Sequence, residues 1–229
     1  MKAVKRPEGA WNTKANLLYI DNPLGVGFST LYNKKSPVST EEELAREFGN
    51  FLVDWFDLPD FQELKGRDLY ITGESYAGHY VPWVSNHLYN MNNPDINLQG
   101  IAIGNGLSNP NLQYKEYTEY AELEENMDYT RITAKQKSYL NDASDLCSQM
   151  NLFRNPALGI PFTHACNIMT SIILAPDDVT KKTQPDASQK FNTYNIKIPC
   201  EVEGLCYDFS NEEQFFNEPS VQEALNVPP

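Results

Sequence analysis

The run Gly73-Glu74-Ser75-Tyr76-Ala77-Gly78-His79-Tyr80-Val81-Pro82 constrains this chain more than any other feature. A strand-like stretch, Asp68-Leu69-Tyr70-Ile71-Thr72, leads into it, and a helix-like stretch reaching about Met91 follows. That order predicts a sharp strand-to-helix turn with Ser75 at its apex. Gly73 suits a backbone position where a side chain would clash, and the small Ala77 and Gly78 let the helix lie close to the strand. Such a turn holds the serine hydroxyl clear of the backbone. It also aims the first free N–H groups of the helix at negative charge forming nearby. Ser75 is the expected nucleophile of an acyl transfer, and the Tyr76 N–H an expected oxyanion donor.

The flanking sequence alternates in the same way. Asn16-Leu17-Leu18-Tyr19-Ile20 reads as a buried strand running into a loop that holds Gly25 and Gly27. Thr40-x-x-Glu43 is a capping box opening a helix, and Pro59 closes it. The apolar positions Leu44, Phe48, Phe51, Leu52, Trp55 and Phe56 recur at the helical period and read as core. A third strand, Gly100-Ile101-Ala102-Ile103, completes a β-α-β-α-β order, which predicts a parallel sheet with covering helices. Pro82 is expected in the first turns of the post-serine helix, where its missing N–H costs least.

After Gly106 the periodicity weakens, all the cysteines appear, and stretches such as Arg154-Asn155-Pro156 and Pro176-Asp177-Asp178 read as loops. This predicts an insertion over the catalytic edge of the sheet. The segment from Phe215 to Val227, with a helix starting near Pro219, reads as a return to the main domain. The expected division is a core over 1–106, a cap over 107–208 and a return over 209–229.

Charge excludes one class of function. A net charge of −13 repels phosphates overall, so no nucleic-acid partner is expected. No apolar run approaches the ~20 residues a bilayer span needs. Residues 1–8 lack the apolar core of a signal peptide.

With these blocks in view, the chain resembles the serine carboxypeptidases. Its G-E-S-Y-A-G-H-Y-V-P run looks like their active-serine signature, and differs from the lipase G-x-S-x-G because Ala77 precedes Gly78. Trp11-Asn12, Ala15-Asn16 and Asp21-Asn22-Pro23-Leu24-Gly25-Val26-Gly27-Phe28-Ser29 resemble the family's W-N…A-N…D-Q-P-x-G-x-G-F-S, with Asn22 for Gln. Ile103 to Pro110 resembles I-G-N-G-x-x-D-P, with Asn109 for Asp. Tyr194 to Cys200 and Leu205-Cys206-Tyr207 resemble Y-D-I-R…C…L-C-Y, with Asn195 and Lys197 for Asp and Arg. The resemblance implies an α/β-hydrolase fold, incomplete here and carrying a cap insertion. It also implies the middle of such an enzyme, without the glycine-rich W-x-N-G-G-P-G segment or the catalytic Asp and His.

The implied activity is removal of C-terminal amino acids from peptides and proteins through an acyl-enzyme on Ser75. Glu74 would help bind the substrate's terminal carboxylate, a contact in which the two carboxylates share a proton and which favours acidic pH. Asn105 would lie near the active site. Leu107, Tyr114, Tyr117, Tyr194 and Tyr207 match positions that line side-chain pockets in the family; packing within the cap is the alternative for the tyrosines. The implied location is a vacuole, a lysosome or the secreted fluid. No cofactor is expected.

Cys147, Cys166, Cys200 and Cys206 allow three disulfide pairings, and the sequence does not choose among them. The resemblance implies Cys147–Cys166 and Cys200–Cys206. Zinc is the competing reading, but there is no C-x-x-C and only His79, His87 and His164 could assist, so no metal is expected. None of these histidines is expected to be the base for Ser75: His79 follows on the same helix, His87 lies two turns further, and His164 falls in the cap. The isolated chain is therefore expected to be inactive. A catalytically dead or binding-only protein is the alternative function, and a lipase-like or esterase-like hydrolase a further one.

Overall fold

Thr40 begins the first helix in the way its sequence predicts. Its backbone is extended, and its Oγ1 accepts the Glu43 N–H at 3.2 Å. The Glu43 carboxylate reaches back to the Ser39 N–H at 3.3 Å. Helix α1 then runs Glu41–Asp57, with Glu41, Glu42 and Glu43 favourably placed in its first turn, and ends at Leu58 just before Pro59. The computed structural model describes residues 8–31, 38–123, 125, 134–148, 191–192, 194–200, 202 and 206–227. They belong to two units, one of residues 1–108 with 222–229 and the other of residues 109–221.

In the first unit, strand β1 (Asp68–Glu74) leads into helix α2 (Ala77–Met91) and then strand β2 (Asn97–Gly104). The two strands are parallel, with Ile71 opposite Ile101 and Glu74 opposite Gly104. Leu69 and Ile71 of β1 and Leu98 of β2 pack against a core of Leu44, Leu52, Phe56, Val84, Leu88 and Ile96. The other side chains of β1 alternate outward, and Tyr70 is 62% exposed. Ile101 on β2 is 48% exposed. Parallel sheets in complete domains are covered on both faces. Among the described residues, α1 and α2 cover one.

The buried face of α1 is the expected one except at Phe51, with Phe48 and Trp55 packed against the core. Leu44, Ala45, Gly49, Leu52 and Phe56 are buried, whereas Phe51, read as core, is 39% exposed. Small residues decide this. His87 and Met91 of α2 fill the space over Gly49, where a methyl group would stand 2.8 Å from the His87 ring and 2.9 Å from the Met91 sulfur. Close approach at Ala45 and Gly49 turns α1 away from its Phe51 edge.

Two further expectations are corrected. Asn16 to Ile20 is not a strand: it pairs with neither β1 nor β2, and Leu17, Leu18 and Tyr19 are exposed. An apolar run supplies strand composition, but a strand also needs a ladder partner, and this one has none among the described residues. Pro82 does lie within the first two turns of α2, but as its sixth residue it is past the first-turn N–H groups where a missing donor costs least. The loop after Ile20 is well ordered by Asp21, whose carboxylate accepts the Phe28 N–H and whose carbonyl accepts the Ser29 hydroxyl, both at 2.7 Å.

The second unit is more helical than the sequence suggested. Helices α3 (Pro110–Glu122) and α4 (Ala134–Ser148) pack together around Thr118, Ala121, Leu140 and Ala143, and Lys137 bonds Glu122 at 2.8 Å. Their apolar periodicity is weak, but the start of α3 is legible: proline occupies its first position, and Gln113 accepts the Asn109 N–H at 3.2 Å. Strands β3 (Phe191–Asn192) and β4 (Asn195–Pro199) form a short antiparallel ladder. Two short helices, Ser210–Phe216 and Pro219–Ala224, end the described chain. The stretches at 154–156 and 176–178 and both His164 and Cys166 lie outside the described residues. No described helix is long and apolar enough to cross a membrane.

Candidate active site

Ser75 sits between the last residue of β1 and the first turn of α2 with φ at +60°. That left-handed conformation is costly for a residue with a Cβ, so the surroundings must enforce it. They do so through both its backbone groups. The Ser75 N–H donates to the Gly104 carbonyl at 3.0 Å. The Ser75 carbonyl accepts two bonds, from the Gly78 N–H at 3.0 Å and the Leu107 N–H at 2.9 Å.

Three glycines let the backbone close in this way. A methyl on Gly73 would stand 2.5 Å from the Ala77 Cβ and 2.9 Å from Val81. One on Gly78 would meet the Leu107 backbone at 2.5 Å, and one on Gly106 would overlap Ile103. Gly78 thus fits the loop after β2 rather than the strand before it. Asn105, in that loop, also has positive φ, at +43°.

The doubly held carbonyl has a chemical consequence. The Ser75 C=O and the Tyr76 N–H belong to one planar trans peptide and point in opposite directions. Two donors fix the oxygen toward Gly78 and Leu107, so the hydrogen is fixed the other way. The Tyr76 N–H has no acceptor among the described residues, and no side chain caps the start of α2. An exposed hydroxyl beside an aimed, unpaired N–H at a helix start is an arrangement suited to attack on a carbonyl and stabilisation of the resulting anion.

Glu74, Ser75, Tyr76, Asn105 and Leu107 are brought together at this turn, and the Glu74 side chain runs beside Gly104. The tyrosines expected to line pockets lie in the other unit, as two ring pairs. Tyr114 and Tyr117 stand 5.3 Å apart on α3, and burial, with Tyr114 beside it, raises the Tyr117 phenol above its ordinary pKa. Tyr194 and Tyr207 stand 5.9 Å apart, next to the Cys200–Cys206 disulfide. Cys147 is also disulfide-bonded.

The histidines have other neighbours. The His79 ring lies 4.8 Å from that of Tyr76, and His87 packs over Gly49. No described side chain hydrogen-bonds the Ser75 hydroxyl.

Two residues were missed by sequence reasoning. Glu41 accepts the Tyr76 phenol at 3.2 Å, although it is 35 residues away. No spacing rule reaches that far. Asn192, fully buried, accepts the N–H groups of Tyr194 and Asn195 at 2.8 and 3.2 Å and donates to the Cys206 carbonyl. Its asparagine-turn chemistry was a usable signal.

The model of the family described as serine carboxypeptidase matches residues 1–229. The chain belongs to the serine carboxypeptidase family. It is similar to serine carboxypeptidase-like 48 of Arabidopsis thaliana, 35% identical over 96% of this chain and 41% of the relative. Serine carboxypeptidase 3 of Oryza sativa subsp. japonica is 36% identical over 95% of this chain and 41% of its own length. A serine carboxypeptidase S10 family member of Dictyostelium discoideum is 31% identical, over 96% of this chain and 49% of its own. The chain therefore spans between two fifths and a half of these curated relatives.

Proposed function

We propose that this family member is the central part of a working serine carboxypeptidase, with Ser75 as nucleophile. Its oxygen attacks the carbonyl of the last peptide bond, the terminal amino acid leaves, and water hydrolyses the acyl-enzyme. The Tyr76 N–H receives the developing oxyanion, and Glu74 binds the substrate's terminal carboxylate with a shared proton, favouring acidic pH. The observation that carries this reading is the enforced φ of +60° at Ser75, beside a peptide whose carbonyl is held and whose N–H has no acceptor among the described residues.

The same reading assigns an α/β-hydrolase core and a cap over 107–208, with Leu107, Tyr114, Tyr117, Tyr194 and Tyr207 lining side-chain pockets and Asn105 beside the site. Cys147 pairs with Cys166, and disulfides suit the oxidising secretory route to a vacuole, a lysosome or the outside. A second reading, a binding-only protein, is favoured by one observation: no described histidine touches the Ser75 hydroxyl.

The full-length protein separates the two. As a carboxypeptidase it releases amino acids from the C-terminus of a blocked dipeptide, and a fluorophosphonate labels it at Ser75. The Ser75→Ala variant does neither. An unlabelled, inactive parent protein at pH 4 to 7 leaves the binding-only reading standing.

A further inference from the structure

The start of α2 lacks the usual means of being held in place. Its N-cap position is Tyr76, no side chain caps its free N–H groups, and its first turn has no acidic residue. A capping side chain would in any case occupy the donors that an oxyanion needs. What holds the turn from the side is a bond to another helix, the 3.2 Å contact from the Tyr76 phenol to Glu41 Oε1.

Glu41 is well placed for this. It is the first residue of α1, where the helix dipole favours its negative charge and the Thr40 cap fixes the backbone. Its other oxygen, Oε2, is buried with no hydrogen-bond partner among the described residues. Leaving a carboxylate oxygen in that state costs stability, so its presence calls for an explanation beyond packing. Tyr76 is further bracketed by the rings of His79 and Tyr80, at 4.8 and 4.9 Å. Burial and then the bond to Glu41 raise the Tyr76 phenol's pKa, so it is the neutral phenol that donates.

We propose that Glu41 is a positioning residue for the acyl-transfer site, tethering Tyr76 so that its backbone N–H stays aimed at the oxyanion. This rests on the carboxypeptidase reading above. The tether acts at the far end of the side chain, while the Gly78 and Leu107 bonds act on the peptide plane. Removing it frees the first turn of α2 to rock without unfolding it. The loss falls on the transition state more than on substrate binding.

The test uses the full-length protein and four variants: Glu41→Ala, Glu41→Gln, Tyr76→Phe and the double Glu41→Ala/Tyr76→Phe. We expect kcat to fall about 3- to 10-fold in Glu41→Ala and in Tyr76→Phe, the size of one lost hydrogen bond, with KM within about twofold. The double variant should fall no further than either single one, because both remove the same bond. Glu41→Gln keeps an acceptor oxygen and should retain more than half of kcat. An inactive parent overturns the carboxypeptidase reading and this proposal with it. With an active parent, three outcomes overturn the tether alone: unchanged kcat in Glu41→Ala, multiplying losses in the double variant, or Glu41→Gln as impaired as Glu41→Ala.

Discussion

Gly78 and Leu107 meet backbone to backbone: a methyl on Gly78 would lie 2.5 Å from the Leu107 nitrogen and 2.6 Å from its carbonyl carbon. The contact locks the start of α2 to the loop that follows β2. It is also what lets the Leu107 N–H reach the Ser75 carbonyl.

Gly78→Ala should therefore damage fold and site together. Backbone cannot rotate out of the way as a flexible side chain can, so the cost should reach about 2–3 kcal/mol. Urea unfolding of the full-length protein measures it, and kcat should fall with it as the Tyr76 peptide loses its anchor. A variant of parental stability and activity would show that the contact is slack.

The turn itself was the most legible part of the sequence. Gly73, Ser75, Ala77 and Gly78 form a spacing that few other local structures demand, and a strand and a helix flank it as expected. Thr40 and Glu43 were equally plain, since capping is decided within four residues. What escaped notice depends on partners distant in sequence. Phe51 was read as core because the period includes it, but the fit of His87 over Gly49 sets the buried face. Asn16 to Ile20 has the composition of a strand without a described neighbour to pair with. Helices α3 and α4 were missed because polar residues dilute their stripes, and the Glu41–Tyr76 bond because it joins two elements.

Backbone strain at Ser75 gives a second prediction. Ser75→Ala keeps the Cβ and its penalty at φ +60°, whereas Ser75→Gly removes it. The left-handed penalty is about 1–2 kcal/mol, partly offset by the extra freedom glycine gains in the unfolded chain. Ser75→Gly should thus be more stable than Ser75→Ala by about 0.5–1 kcal/mol, and both should be inactive. Equal stabilities by chemical denaturation would mean that the turn relaxes once the serine is gone.

Asn192 should prove a structural keystone of the hairpin. Asn192→Ala leaves the Tyr194 and Asn195 N–H groups without their acceptor, at a cost of about 2–3 kcal/mol. Amide exchange should quicken at these two residues. Tyr194, paired with Tyr207, should then shift as well. Unchanged exchange at both amides would remove Asn192 from this role.

The Cys200–Cys206 bridge closes a short loop, with a sequence separation of 6. Loop-closure entropy alone gives a contribution of about 2 kcal/mol. Peptide mapping without reduction should recover this link and a second one joining Cys147 to Cys166. A peptide joining Cys147 to either of the other two cysteines would reject the pairing.

The histidines give the last prediction. A serine hydroxyl needs a base within hydrogen-bond reach, and His79 and His87 are engaged elsewhere, against Tyr76 and over Gly49. With His164 expected in the cap, the 229-residue chain on its own should take up no fluorophosphonate at Ser75 and hydrolyse no blocked dipeptide from pH 4 to 8. In the full-length protein, His79→Gln should cost only a few-fold in kcat through its contact with the Tyr76 ring. Loss of a catalytic base costs far more, on the order of 10⁴- to 10⁶-fold. The gap between a few-fold and ten-thousand-fold is wide enough for one assay to decide. A collapse of that size in His79→Gln, with the fold intact by circular dichroism, would make His79 the base, and the isolated chain should then be labelled as well.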